Sequence, residues 1–301
     1  MRKSFRIILL FGLTALACGK TNSDTQKELA YMPDIPAHFP SVEHPEENSP
    51  SRARWQLGKR LFFERALSID SSVSCADCHL PQHGFADIRT NSSGAFGRVG
   101  KDNAPSLWNI AYHPYFLRSA NVPTLEMQVL VPVQEAHEFA HNIVALSERL
   151  MQDPEYVKQS QEAYGRSIDP FVITRAIAQF ERSLIAGRSR YDRFLQGDPQ
   201  ALSPSEKRGL ALFESERLSC RECHGGLNFS NYSLERNGSD TSNALPGVYR
   251  VTGSPSDFGR FKVPGLRDVS RTAPYFHDGR YASLADVIDH YDRGGDPIGA
   301  A

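Results

Sequence analysis

The pattern of apolar and polar positions predicts a chain built mainly from amphipathic helices. Apolar residues recur at helical spacing through 49–62, where Ser is expected to cap the helix and Pro50 to lie in its first turn. Segments 142–151, 154–164 and 169–187 show the same periodicity, and the last carries a clear apolar stripe. Strand signals are weak throughout, so we predict a mostly α fold.

The same pattern starts again near residue 203. Ser203-Pro204-Ser205 echoes Ser49-Pro50-Ser51, and Leu212-Phe213 echoes Leu61-Phe62. Further echoes link 105–107 to 264–266, Pro114-Tyr115-Phe116 to Pro274-Tyr275-Phe276, and the helix at Leu125 to one at Leu284. The chain is therefore expected to contain a duplicated helical module. Gly and Pro residues in 188–202 mark the boundary, which gives domains at 49–187 and 188–301.

The first 48 residues differ from the rest. Residues 1–17 combine a basic start with a short apolar core, which is typical of a signal peptide and too short to span a bilayer. Small residues lead into Cys18, as in the lipobox of bacterial lipoproteins, and predict a lipid anchor there; ordinary secretion is the alternative. Residues 18–48 are polar and Pro-rich and are expected to form a tether.

Charge excludes one class of partner. The 301 residues contain 34 Lys and Arg against 35 Asp and Glu, for a formal net charge of -1. A nucleic-acid-binding chain usually carries a basic excess, so nucleic acid is not an expected partner.

Four of the five Cys lie in two copies of one motif. Cys75-Ala76-Asp77-Cys78-His79 recurs as Cys220-Arg221-Glu222-Cys223-His224. Cys-x-x-Cys-His is the attachment signature of c-type haem, in which two thiols bond the porphyrin and the His becomes the proximal iron ligand. A four-Cys zinc site or a redox dithiol pair is the alternative, but neither needs a His after each pair.

Around these motifs, roughly residues 49–295 resemble the bacterial di-haem cytochrome c peroxidase family, which includes MauG. The supporting runs are Leu57 to Phe62, Ser74 to His79, Phe85-Ala86-Asp87, Asn103-Ala104-Pro105, Phe261 to Pro264 and Thr272 to Gly279. The resemblance implies two cytochrome-c-like haem domains in a pseudo-two-fold arrangement. It also implies an active site at the N-terminal, peroxidatic haem and electron transfer through the C-terminal haem.

Peroxide chemistry needs an acid-base group above the peroxidatic iron. In the family, a Gln and a Glu ten residues later lie there with a Pro between them, and Gln128, Pro132 and Glu138 match that spacing. The resemblance thus makes Glu138 the acid-base residue and Gln128 the residue that positions peroxide. A solvated carboxylate at Glu138 is the alternative, with His137 or His141 as substitutes.

The electron-transfer haem needs a sixth ligand. Family peroxidases usually place a Met fourteen residues after the His of a His-Asp-Gly run; counting from His277 gives Tyr291, and no Met follows Met151. MauG-like members also carry Tyr here. Tyrosinate would lower the haem potential. The alternative is a Tyr buried on an apolar face with Val287 and Ile288.

The resemblance also implies a calcium ion between the domains. Its ligands would be the Asn103 side chain and the carbonyls of Thr272 and Pro274. Oxygen ligands suit calcium, although a sequence cannot show that these carbonyls converge.

Three features depart from the family. The stretch that matches the family's Phe-Trp-Asp-Gly run is Phe116-Leu117-Arg118-Ser119, so electron passage is expected through Tyr115, Phe116 or Trp108. The loop 84–103 has no His to block the first haem. The sequence stops ten residues after Tyr291, so we expect a truncated last domain.

These features predict a periplasmic, lipid-anchored oxidoreductase. Its expected activity is the reduction of hydrogen peroxide to water, with electrons from a small cytochrome c or a copper protein. One alternative is a MauG-like enzyme that uses peroxide to oxidise Trp or Tyr residues of a partner protein. Another is a non-catalytic di-haem electron-transfer lipoprotein.

Overall fold

The computed structural model describes residues 34–119, 121–239 and 246–295. The predicted signal peptide 1–17, the anchor Cys18, the start of the tether and the end at Ala301 lie outside the described residues. Within the described ranges, no helix is long and apolar enough to cross a membrane.

The described residues are mostly helical, which confirms the predicted class. The α-helices are α1 Arg52–Phe62, α2 Cys75–Cys78, α3 Leu125–Gln128, α4 Leu130–Gln134, α5 Ile143–Leu150, α6 Pro154–Tyr164, α7 Pro170–Glu181, α8 Arg190–Leu195, α9 Pro204–Phe213, α10 Cys220–Cys223, α11 Tyr249–Thr252 and α12 Leu284–Asp292. Two short strands, β1 Leu234–Glu235 and β2 Phe261–Lys262, pair antiparallel.

The helix boundaries follow local capping. The Ser51 hydroxyl accepts a hydrogen bond from the Arg54 N–H at 3.3 Å, so α1 begins after Ser51 and Pro50 precedes the cap instead of lying in the first turn. Helix α7 ends at Glu181, six residues before the predicted end. There the Ser183 hydroxyl donates to the Phe180 carbonyl at 2.6 Å and competes with continuation of the helix.

The main apolar core lies in the first half, where α1 crosses α7. Leu57, Leu61 and Ile173 are completely buried at this crossing. Gly58 allows the two backbones to meet, because a Cβ at this position would lie 1.8 Å from the Ala176 carbonyl oxygen. The core therefore depends on a glycine at the helix contact as well as on apolar side chains.

A buried ion pair ties α3 to the end of α7. Arg182 donates to both carboxylate oxygens of Glu126, at 2.6 and 3.0 Å, and Asn48 donates to the same carboxylate at 2.9 Å. The full set of partners matters because an unpaired buried charge is costly. The pair fixes α3, which also carries Gln128.

The second half repeats local features of the first. The left-handed residues Asn109 and Leu117 have counterparts in Asp268 and Phe276. The antiparallel bridge between Phe116 and Val122 likewise has a counterpart between Tyr275 and Tyr281. These pairs match Phe116 to Tyr275, so the predicted echo of the two Pro-Tyr-Phe runs is one residue out of register.

Two backbone hydrogen bonds join the halves along a seam formed by Asn103, Arg118, Lys262 and His277. The Asn103 N–H donates to the His277 carbonyl and the Lys262 N–H donates to the Arg118 carbonyl, both at 2.8 Å. In the register given above, Asn103 corresponds to Lys262 and Arg118 corresponds to His277. The two bonds are therefore reciprocal.

Gly58 and Gly209 provide a matched pair for testing the helix crossing. Gly58→Ala should lower the free energy of unfolding by about 1–3 kcal/mol or more, because the methyl group would overlap the α7 backbone. Gly209 holds the matching place in α9, where a Cβ would meet nothing within 4 Å. Gly209→Ala should be neutral or stabilising by about 0.5–1 kcal/mol. Guanidinium denaturation of the holoprotein followed by circular dichroism measures both; equal effects would contradict the assignment.

Candidate haem and peroxide site

The two Cys-x-x-Cys-His motifs adopt the same local structure. Each pair of Cys forms a single helical turn, α2 or α10, and the His follows directly. The backbone N–H of His79 donates to the Cys75 carbonyl, and the backbone N–H of His224 donates to the Cys220 carbonyl, both at 2.8 Å. All four cysteines are free. Each turn thus presents two thiols and one imidazole together.

Each imidazole is oriented by a backbone carbonyl. His79 Nδ1 lies 2.9 Å from the Phe85 oxygen and 3.1 Å from the Pro105 oxygen, while His224 Nδ1 lies 3.0 Å from the Phe229 oxygen. A carbonyl only accepts, so Nδ1 carries the hydrogen and Nε2 keeps its lone pair for a metal. Burial lowers the pKa of both imidazoles, which favours the neutral form.

A cavity of ≈ 420 Å³ adjoins the first motif. It is lined by Cys75, Cys78 and His79, and also by all three residues selected from the family spacing, Gln128, Pro132 and Glu138. Apolar residues complete much of the wall, among them Leu107, Ile110, Val129, Val133, Phe139 and Ile177. Two thiols, a neutral imidazole nitrogen and an apolar wall are the donor set and surroundings that a c-type haem requires.

Glu138 carries a carboxyl whose acidity suits proton transfer. Its side chain lines the cavity and is accessible to solvent, with many protein atoms nearby. Burial, followed by the negative charges of Glu135 and Asp102, raises the pKa of Glu138 to about 7. A freely solvated carboxylate, which is the alternative, would keep an ordinary pKa.

The loop 93–99 packs along the segment that carries Glu138. The Ala95 N–H donates to the Glu138 carbonyl at 2.7 Å, and the Arg98 guanidinium donates to the Ala136 carbonyl at 2.9 Å. A Cβ on Gly94 would lie 2.1 Å from the His137 carbonyl oxygen, so only glycine allows this approach. The backbone of Glu138 is thus held by a loop that contains no histidine.

The two neighbouring histidines differ in location. His137 lines the cavity, and its Nδ1 lies 3.0 Å from the Val99 carbonyl oxygen. His141 is buried, is not among the cavity-lining residues, and within the described part of the chain its Nε2 has no hydrogen-bond partner. Of these two alternatives to Glu138, only His137 adjoins the cavity.

Tyr291 lies on an open face of α12 near the second pair of cysteines. Burial raises the pKa of Tyr291, and the nearby Cys223 and Cys220 add to the effect. Half of its side chain is nevertheless exposed, and Ile288 is more exposed still, so the structure does not bury Tyr291 on an apolar face with Ile288. His290 is the buried residue, with Nδ1 3.0 Å from the Tyr281 hydroxyl.

The second motif has much apolar surface that a haem could cover. Helix α9 buries none of its residues, and Leu212 and Leu218 are about half exposed. Within the described part of the chain, the extended apolar core lies entirely in the first half. The residues around Cys220 and Cys223 therefore fit a second haem that supplies part of its own domain's core.

The donor set expected for calcium does not fit at Asn103. Its side-chain Nδ2 donates to the Asp87 and Arg89 carbonyls at 3.3 and 2.9 Å, and its Oδ1 lies 3.3 Å from Arg118 Nη2. The amide oxygen assigned to calcium by resemblance thus faces a cation. Across residues 34–119, 121–239 and 246–295, no cluster of three or more His, Cys, Asp or Glu could hold a metal ion.

Several charged residues of the cavity wall had no predicted role, among them Arg118, Lys262 and Glu181. Burial, followed by Arg118, lowers the pKa of Lys262 to about 8, and burial raises the pKa of Glu181 to about 8. Arg118 was noticed only as a departure from the family, and Lys262 only as part of the Phe261–Pro264 run. Glu181 gave no signal within its helical pattern, because periodicity does not distinguish a cavity-lining carboxylate from a solvated one.

Comparisons with known proteins agree with this site. A family model described as di-haem cytochrome c peroxidase matches residues 52–200. The cytochrome-c peroxidase IdrP1 of Pseudomonas sp. (strain SCT) is 32% identical, covering 98% of this chain and 85% of that protein. The methylamine utilization protein MauG of Methylorubrum extorquens is 34% identical, covering 93% of this chain and 80% of that protein.

A solved structure is also similar. The crystal structure of a MauG-like protein associated with microbial copper homeostasis superposes with a TM-score of 0.83 at 32% identity, covering 89% of this chain and 84% of that one. With two haem motifs and relatives of this identity and coverage, the chain belongs to the di-haem cytochrome c peroxidase family, which includes MauG.

Proposed function

We propose that this protein reduces hydrogen peroxide to water at the cavity beside His79. One observation carries the proposal: the cavity that contains the first haem motif also contains Glu138, whose pKa is raised to about 7, and the uncharged amide of Gln128. A group that titrates near the working pH can both take and return a proton. A plain electron carrier has no need of such a group.

The haem-binding residues follow from the two motifs. Cys75 and Cys78 would bond the first haem and His79 Nε2 its iron, while Cys220, Cys223 and His224 would hold the second. When bound, the haems supply electrons and an iron that binds an oxygen of peroxide. Side chains of the cavity would transfer the protons and orient the peroxide.

Glu138 is proposed to move the proton between the two peroxide oxygens. One oxygen must lose its proton, and the other must gain one as the O–O bond breaks; the deprotonated carboxylate can accept the first and donate it to the second. Two electrons and two further protons complete the conversion to two waters. Gln128 offers an N–H donor and a carbonyl acceptor, which can orient peroxide without competing for its proton.

We propose that the two halves are related by a pseudo-two-fold axis through the seam. The support is the reciprocity of the two seam bonds, Asn103 to His277 and Lys262 to Arg118. Reciprocal contacts between corresponding positions are typical of a two-fold interface. The domain boundary within 188–202 belongs to the same proposal.

Electrons are proposed to enter at the second haem from a small cytochrome c or copper protein. Trp108 is favoured as their route to the first haem, because it lines the cavity and its Nε1 donates to Asp268 of the second half at 3.1 Å. Phe116 also lines the cavity, but its side chain is buried in the first core. Export and lipid anchoring at Cys18 are proposed from residues 1–18 alone.

Glu138→Gln should slow the reaction with peroxide by about 10²–10⁴-fold, because an amide cannot carry the proton. Stopped-flow spectroscopy measures the rate, and a haem assay should show both haems still attached. Near-normal reactivity would contradict the assignment and favour His137.

Glu135→Gln is the matched control. It removes a negative charge that raises the pKa of Glu138. In the unmodified protein, the rate should rise with pH near pH 7 as Glu138 loses its proton. In Glu135→Gln, this rise should occur at a lower pH. The rate above pH 7 should stay close to normal. A loss as large as that of Glu138→Gln would mean that the effect is one of local structure.

A second candidate function is favoured by Tyr291. Its place beside Cys220 and Cys223 suits an iron ligand, and an anionic oxygen would stabilise the ferric state and lower the haem potential. A low potential disfavours electron uptake from a high-potential carrier. This supports an enzyme that uses peroxide to oxidise Trp or Tyr residues of a partner protein, as proposed above for MauG-like members.

Tyr291→Met should raise the potential of the second haem, because a neutral thioether replaces an anionic ligand. A spectroelectrochemical titration measures the potential, and the surface variant Tyr249→Met should leave it unchanged. A high potential in the unmodified protein, in the range of His/Met haems, would disprove the ligation. Rapid turnover with reduced cytochrome c would support the peroxidase function and exclude the oxidation of a partner protein.

A further inference from the structure

The seam between the two halves contains a fixed organic cation. We infer that the guanidinium of Arg118 takes the place of a calcium ion there, and that the holoprotein needs no calcium to join its halves. The inference concerns metal dependence, so it stands whichever peroxide reaction the protein performs.

Arg118 donates hydrogen bonds to Asn103, the residue that would otherwise bind calcium. Its Nε and Nη2 donate to the Asn103 carbonyl at 3.1 and 2.7 Å, and Nη2 also lies 3.3 Å from Asn103 Oδ1. Both donors of the Asn103 amide are used by the carbonyls of Asp87 and Arg89. The guanidinium thus occupies the acceptors at Asn103 that a divalent cation would require.

The same two residues join the halves. The Asn103 N–H donates to the His277 carbonyl, and the Arg118 carbonyl accepts from the Lys262 N–H, each at 2.8 Å. A side-chain contact between Asn103 and Arg118 therefore couples the two seam bonds to each other. This is the task that an interdomain cation would perform by binding oxygens from both sides.

The charges around the seam leave no net attraction for a second cation. Lys262 adds a buried ammonium close enough for Arg118 to lower its pKa. The two carboxylates near Arg118 already have partners: Asp102 lies 3.2 Å from Arg250 and Asp278 lies 2.7 Å from Arg280. A calcium ion would face two cations, Arg118 and Lys262. Among the carboxylate oxygens of Asp102 and Asp278, Asp102 Oδ1 is buried without a hydrogen-bond partner, but the Asp102 carboxylate as a whole is already paired with Arg250. Coulomb repulsion between cations is screened less inside protein than in water.

The sequence offers a reason why this chain differs. The run Phe116-Leu117-Arg118-Ser119 matches the family run Phe-Trp-Asp-Gly, so an acidic run is replaced by one that carries a guanidinium. The change shifts the local charge by two units in the positive direction. It places a fixed cation beside Asn103.

The first test uses the unmodified holoprotein, purified and dialysed against metal-free buffer with and without EGTA. We expect substoichiometric calcium by mass spectrometry, no binding isotherm on titration with calcium chloride, and the same melting temperature in EGTA and in calcium. One retained calcium per chain, or a melting temperature that falls in EGTA and returns with calcium, would overturn the inference.

Arg118→Asp tests the cause. It should lower the melting temperature in EGTA and gain one calcium per chain, with calcium restoring the melting temperature because the ion binds only the folded state. Arg118→Lys keeps a cation and should remain indifferent to calcium. Arg217→Asp makes the same charge change at an exposed position and should gain no site. If Arg118→Asp folds but binds no calcium, the proposed role of Arg118 is wrong. If the variant does not fold, the calcium measurements on the unmodified protein test the inference.

Discussion

The orientation of each motif histidine depends on hydrogen bonding from its Nδ1 to backbone carbonyls. His79 bonds to Phe85 and His224 to Phe229, and both phenylalanines adopt the left-handed backbone conformation that few bulky residues take. Each carbonyl consumes Nδ1, so only Nε2 remains for iron. The loop after each motif therefore fixes the imidazole whose Nε2 would hold the iron of a bound haem, and the proposed roles of Glu138 and Tyr291 depend on that placement.

The same hydrogen bond from a histidine Nδ1 to a backbone carbonyl occurs in two different environments. In the first half, a continuous core and the Glu126–Arg182 pair hold α3, so that the neighbouring cavity wall can present Gln128 and Glu138 in fixed places. In the second half, α9 buries nothing and Tyr291 stands on an open helix face. The Cys-x-x-Cys-His turn occurs twice, and the differences in packing around it support our proposal of catalysis at the first copy and electron transfer at the second.

Sequence alone predicted what depends on short spacings. The haem motifs, the helical class and the trio Gln128, Pro132 and Glu138 all follow from local patterns or family spacing, and the trio lines the cavity of the first motif. The contact between Asn103 and Arg118 could not be predicted, because it joins loops whose approach is fixed by tertiary folding. Periodicity also placed Tyr291 and Ile288 together on α12 but could not show that this face is open instead of buried.

The central claim is that one iron has an open sixth position and the other does not. The loop 93–99, bound along the Glu138 segment, contains no histidine to close the first site, whereas Tyr291 stands near the second pair of cysteines. Electron paramagnetic resonance of the oxidised holoprotein tests this most directly. The account predicts one high-spin and one low-spin ferric signal in equal amounts as isolated. Two low-spin signals, with a high-spin signal and reactivity toward peroxide appearing only after half-reduction, would contradict it.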